Sequence, residues 1–220
     1  MDENYWQLGT WGRIPVAMHW TVLLAFAWMY LVFWSVPATL VGAVALFFVL
    51  AVHELGHVAV LRRRKVSIDS ITFFGVHGTT SHGYAGPGVE IAVAWAGVAA
   101  QAVLLAATLV VGDLVDFSSI PLLAWAWGVT YLVWTKLNVF VMVIALLPLG
   151  PFDGRVAWSV FGYMKGAMRR RRKRKQELLL NPERALSPER RRELEESSSQ
   201  AAAQLMGKLS GRRDETRGDE

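Results

Sequence analysis

Four long apolar stretches dominate the chain, at residues 16–36, 38–61, 89–111 and 120–149. Each reaches about 20 residues or more, the helical length needed to cross a bilayer core. Pro37 alone separates the first two, which predicts a tight connection. Residues 66–88 break the pattern. Ser67, Asp69 and Thr72 interrupt them, five glycines from Gly75 to Gly88 punctuate them, and 66–73 alternate apolar with polar. That alternation predicts short β-structure joined by turns. The fourth stretch contains Lys136 and Asn138 and ends in Pro148-Leu149-Gly150-Pro151-Phe152-Asp153-Gly154. Its C-terminal part is expected to be broken by those prolines. Broken backbone at membrane depth must be buried in protein or line a cavity. Residues 156–164 predict a short apolar helix leading out. The expected architecture is an all-α polytopic membrane protein. It has about four transmembrane helices, a small β-rich insertion between the second and third, and a basic tail.

Composition agrees with that class. Of 220 residues 53% are hydrophobic, 10 are Trp, and the mean hydropathy is +0.31, values of a membrane protein rather than a soluble domain. The net charge of +5 is unevenly placed. Residues 1–164 carry 7 basic and 8 acidic residues, net −1; residues 165–220 carry 16 and 10, net +6. We therefore expect a membrane domain over 1–164 and a basic cytoplasmic tail, partly helical or disordered, over 165–220. Basic clusters at 62–65 and 169–175 flank span ends, and such clusters stay in the cytoplasm. Four spans with both termini cytoplasmic satisfy both clusters, in a multi-pass protein of the cell membrane. The 169–175 cluster also suits anionic lipid. Nucleic acid is not expected, because topology accounts for the charge. Trp6 and Trp11 suit the membrane interface. Ser187 followed by Pro188 predicts a helix N-terminus, with a charged helix to about Leu209 and disorder over the last ten residues. No cleavable signal is expected, since the first apolar run lacks a basic leader and a small-residue cleavage site. With no Cys, thiolate metal sites and cysteine nucleophiles are excluded.

One polar run stands inside the second apolar stretch: His53-Glu54-Leu55-Gly56-His57. On a helix this spacing puts two imidazoles one turn apart on one face, with a carboxylate beside them. Ionisable groups at membrane depth are costly and mark functional sites. Two His binding zinc, with Glu54 as the general base for water, is the hydrolytic reading. Glu54 would then return the proton to the leaving amine. A third ligand is needed, and Asp153 is the best candidate. It is a carboxylate in the Pro-rich break, 16 residues ahead of its basic cluster where His53 is nine ahead of 62–65, so both are expected toward the cytoplasmic side of the membrane interior. One Zn2+ per chain is expected. The plainer reading, two buried His bonded to neighbouring helices, leaves Glu54 unexplained.

These motifs together resemble the site-2 protease family of intramembrane zinc metalloproteases. The resemblance rests on His53-Glu54-Leu55-Gly56-His57 and on Leu147-Pro148 to Asp153-Gly154, in that order. Gly12-Arg13-Ile14-Pro15-Val16 with His19, and Ile91 to Gly97, add to it; it covers residues 12–164. It implies zinc on His53, His57 and Asp153, Glu54 as catalytic base, and cleavage of transmembrane segments of other membrane proteins. Two positions depart from the family pattern. The family usually has Ala-Gly-Pro and then, two residues on, Asn, where this chain has Ala96-Gly97-Val98-Ala99-Ala100-Gln101. It usually has Asn where this chain has Ala145. Gln101 retains hydrogen-bonding ability, with one more methylene of reach.

Weaker candidates surround this set. Gly75-Val76-His77-Gly78 would offer an extended edge to unfolded substrate, and Asn138 would line the cleft or bond between helices. We therefore place Gly75, His77, Gln101 and Asn138 as substrate-binding candidates. His77 and His82 are read first as loop histidines and second as a cover over the metal. His19 is read as structural, and Glu90 as favouring a helix N-terminus. The alternative function is a non-proteolytic zinc-binding member that escorts or regulates membrane proteins. A metal transporter would need polar residues along a full path, whereas here they cluster at one depth.

Overall fold

A computed structural model describes residues 4–150, 152–180 and 188–215. The chain divides into two compact units, Met1–Tyr163 and Met164–Glu220. The first is built on three helices long and apolar enough to cross a membrane. They are α2 (Val36–Arg63), α3 (Pro87–Leu114) and the segment Pro121–Ala145. Each starts with proline in its first turn, where the missing N–H costs no helical bond and the ring pre-sets φ. At 1.5 Å per residue the two 28-residue helices are roughly 42 Å long.

The 16–36 stretch does not form the expected helical span. Residues Ile14–His19 are strand β2, and only Val22–Phe33 is helical (α1). Twelve residues rise about 18 Å, too little to cross a bilayer core. Yet Gly12 lies against the Arg62 side chain and Phe33 packs on Gly42. Residues 12–33 therefore run alongside most of α2, half as strand and half as helix. Strand is tolerated there because β2 is paired on both sides, which satisfies its backbone polar groups.

Those partners are β1 (Tyr5–Trp11) and β3 (Ile68–Phe73); β3 pairs in turn with β4 (Gly78–His82). The sheet runs β1-β2-β3-β4, with β2 and β3 parallel and the outer pairs antiparallel. The β-structure is thus not confined to an insertion between two spans. A two-residue turn, Gly12-Arg13, joins β1 to β2 with positive φ at both positions (55° and 76°). That is the backbone of a primed hairpin turn, which matches strand twist. The expected extended edge over Gly75-Val76-His77-Gly78 is a turn through His77, and Gly78 opens β4. Phe74 N–H donates to the His77 carbonyl at 2.8 Å, so these residues close a tight turn before β4 begins.

The core lies between sheet and helices, around Met29, Leu46, Val49, Leu50, Ile71, Phe73 and Val133. The buried stripe of α2 passes through Gly42, Leu46, Val49, His53, Glu54, His57 and Leu61. That is helical spacing, so the polar motif continues the apolar face inward. The third span is α4 (Pro121–Leu132), a π-helical turn Val133–Leu137, and α5 (Asn138–Ala145). Helix stops at Ala145, just ahead of Pro148, as the prolines required.

In α6 (Gly154–Ala157) and α7 (Val160–Leu180) the chain leaves the first unit. The basic run 169–175 is helical within α7. α8 spans Pro188–Glu215, so helix continues past Leu209 into residues expected to be disordered. Ser187 and residues 216–220 lie outside the described residues.

Candidate metal centre

α2 and α3 approach unusually closely, and glycine is the reason. A Cβ on Gly56 would overlap the backbone carbonyl of Ala96, and one on Gly97 would sit 2.6 Å from the His53 ring. With both side chains absent, α3 lies directly behind the histidines of α2. One turn past Gly97, Gln101 reaches His53: its Oε1 accepts from His53 Nδ1–H at 2.9 Å. One turn before, the Val93 carbonyl accepts from His57 Nδ1–H at 2.8 Å. Both Nδ1 protons are thereby engaged, which leaves both Nε2 lone pairs facing the site.

Asp153 meets them from the other side. Its Oδ2 lies 2.9 Å from His53 Nε2 and 3.3 Å from His57 Nε2. Three contacts hold the aspartate loop. Gly154 packs on the Leu146 carbonyl so closely that a Cβ would overlap it. Trp158 donates its indole N–H to that same carbonyl at 2.7 Å, and Trp95 of α3 donates to the Ala157 carbonyl at 3.1 Å. The broken backbone after α5 is therefore pinned to α3 and to its own helix end.

The ligand atoms of His53, His57 and Asp153 all lie within 4.8 Å of one another. Two lone-pair nitrogens and a carboxylate oxygen converging in a buried space need a cation or a proton between them. Two His and one carboxylate is a donor set of catalytic zinc, which keeps a fourth position open. The residues fit the metal, and the second-layer acceptors on both Nδ1 atoms fit it further.

Glu54 is fully buried beside these ligands. Thr80 of β4 donates its hydroxyl to Oε2 at 2.6 Å, while Oε1 has no hydrogen-bond partner among the described residues. A cleft of about 110 Å3 opens over the site, lined by Glu54, His57, Thr80, His82, Glu90 and Asp153. At its rim His82 donates Nδ1–H to the Gly83 carbonyl at 2.9 Å, and its Nε2 is 3.7 Å from Glu90.

The remaining sequence candidates fall in different places. His77 stacks on Phe74 at 4.8 Å, meets Phe152 edge-on, and shares a second, small cleft with His53 and Asp153. Burial pushes the His77 imidazole pKa down. Ala145 lines the same cleft. Gly75 instead packs against the Thr21 carbonyl. Gln101 is fully buried behind His53 and hydrogen-bonds its ring. Asn138 is also fully buried; it donates to the backbone carbonyls of Gln101 and Trp134 and joins helices. His19 bonds Thr21 and packs among Tyr5, Trp20 and Phe74, a structural role. Sequence reasoning missed Thr80 and the Val93 carbonyl. Strand alternation of Gly78, Thr80 and His82 was the available signal for Thr80; a backbone acceptor leaves none.

No family model and no curated protein matches the chain. Among solved structures it is similar to the site-2 protease from Methanocaldococcus jannaschii. The TM-score is 0.57 at 22% identity, over 73% of each chain. The first unit's spanning helices, its small sheet and this likeness together make the chain a membrane protein with a site-2 protease-like fold.

Proposed function

We propose that the chain is a zinc-dependent intramembrane endopeptidase acting on the transmembrane segments of other membrane proteins. The observation that carries this reading is the convergence of His53, His57 and Asp153 beside a buried Glu54. One Zn2+ per chain would be held by those three side chains. Bound there, zinc would supply Lewis-acid polarisation of the scissile carbonyl and acidify the attacking water. Glu54 takes the proton from that water and passes it to the leaving amine as the C–N bond breaks. Gln101 and the Val93 carbonyl keep both imidazoles oriented. A substrate helix must unwind locally, because its own hydrogen bonds shield the carbonyl.

Residues 12–33, α2, α3 and the segment ending at Ala145 make four passes, which return the chain to its starting side. With the basic clusters at 62–65 and 169–175, this supports cytoplasmic termini in a cell-membrane protein. The basic run also suits anionic lipid headgroups.

The test is cleavage of a quenched-fluorescent transmembrane peptide by full-length protein in bilayers. Glu54→Gln should abolish turnover while one zinc per chain remains bound. Equal turnover by that variant would remove Glu54 as the base; a wild type that leaves the peptide intact would sink the protease reading and leave the non-proteolytic escort, which the apolar Ala145 at the cleft favours.

A further inference from the structure

Strand β4 does more than close the sheet. Alternation along a strand puts residues two apart on one face, and on β4 that face carries Gly78, Thr80 and His82. Each meets a helix at a functional point. Gly78 stands where any Cβ would overlap the Glu54 carboxylate, so only glycine leaves room for that side chain. Thr80 donates to Glu54 Oε2 at 2.6 Å, and His82 faces Glu90 at the cleft rim.

Beyond that hydroxyl, Glu54 is held by packing, with Oε1 against Gly78. It is fully buried, and its other oxygen, Oε1, has no hydrogen-bond partner among the described residues. A hydroxyl on one carboxylate oxygen fixes the plane of the group and occupies that oxygen. The other oxygen keeps all its lone pairs for a proton. We infer that Thr80 is the positioning residue for the catalytic carboxylate: it dedicates Oε2 to orientation and Oε1 to proton transfer. This deepens the protease reading and rests on Glu54 being its base.

A base acts only within hydrogen-bond reach of the proton it takes, and a well-placed one contributes about 10²–10⁴ in rate. Loss of orientation should therefore lower the chemical step without weakening substrate or metal binding. Thr80→Val keeps the shape and the methyl but removes the hydroxyl. Thr80→Ser keeps the hydroxyl and removes the methyl.

The experiment uses full-length wild type, Thr80→Val, Thr80→Ser and Glu54→Gln in bilayers with the quenched-fluorescent transmembrane peptide. Turnover, zinc per chain and thermal unfolding are read for each. Thr80→Val is expected to lose at least about tenfold in kcat, with KM, zinc content and unfolding unchanged. Thr80→Ser is expected to recover most of that loss. Unimpaired kcat in Thr80→Val overturns the inference. So does a loss that serine fails to rescue, which points to methyl packing, or a loss accompanied by zinc release or early unfolding. Wild-type cleavage that survives in Glu54→Gln removes Glu54 as the base, and the inference with it. A wild type that leaves the peptide intact removes the protease reading and the inference together.

Discussion

Two glycines within α2 each receive a neighbour, and they teach opposite lessons. Near its start, Gly42 receives the ring of Phe33 from α1. Near its end, Gly56 receives the backbone of Ala96 from α3. The first seam is filled with Ala25, Met29, Ala43 and Leu46, all apolar. The second carries His53, His57 and Gln101, buried polar groups with assigned partners. Side chain against glycine leaves slack, because a ring can turn. Backbone against glycine leaves none, and the fixed distance it sets is what a metal site requires.

The largest expected effect comes from removing that fixed distance. Gly56→Ala drives a methyl into the Ala96 carbonyl, and the helices must separate. Gln101 and Val93 then withdraw from the two imidazoles together. We expect zinc per chain to fall below detection after dialysis, with loss of turnover and a lowered unfolding temperature. Full zinc retention in this variant would mean that the two seams do not differ.

A smaller effect isolates one support. Gln101→Leu keeps the helix spacing but leaves His53 Nδ1–H without its acceptor. Losing such an outer partner typically costs about 10–100-fold in metal affinity. Competition with a chromophoric chelator measures it directly. An unchanged affinity would show that the Gln101 bond does not orient His53.

The candidate metal ligands, which the fold brings together, were legible in the sequence because each carries its own signature. His53, Glu54 and His57 break an apolar helix at one-turn spacing, and Asp153 follows a proline break. The helical spans after Pro37 were legible for the same reason, since length and hydropathy are local properties. The N-terminal hybrid was not. Residues 16–36 are apolar enough for a span, and only pairing with β1 and β3, the latter some 50 residues away, makes the first part strand. Gln101 was noticed, but its bond to His53 was not legible, because their approach depends on two glycines on different helices. Thr80 was invisible as chemistry: a strand threonine looks the same whether its hydroxyl meets water or a buried carboxylate.

The smallest effect is the matched control. Gly42→Ala adds a methyl 2.6 Å from the edge of the Phe33 ring, an overlap as close as many that would destroy a core. The obstructing atoms, however, are the end of a rotatable side chain at the C-terminus of α1, only partly buried. Phe33 can swing toward the membrane, where an aromatic ring is at no disadvantage. Against its lost packing stands the gain from replacing glycine in a helix interior, about 0.5–1 kcal/mol. The two terms are of similar size and opposite sign, so thermal unfolding should move little in either direction. Zinc content and chelator-measured affinity should match wild type within about twofold, because the affected turn lies three turns from His53 at 3.6 residues per turn. If Gly42→Ala released zinc as Gly56→Ala does, spacing of α1 as well as α3 would set the metal centre.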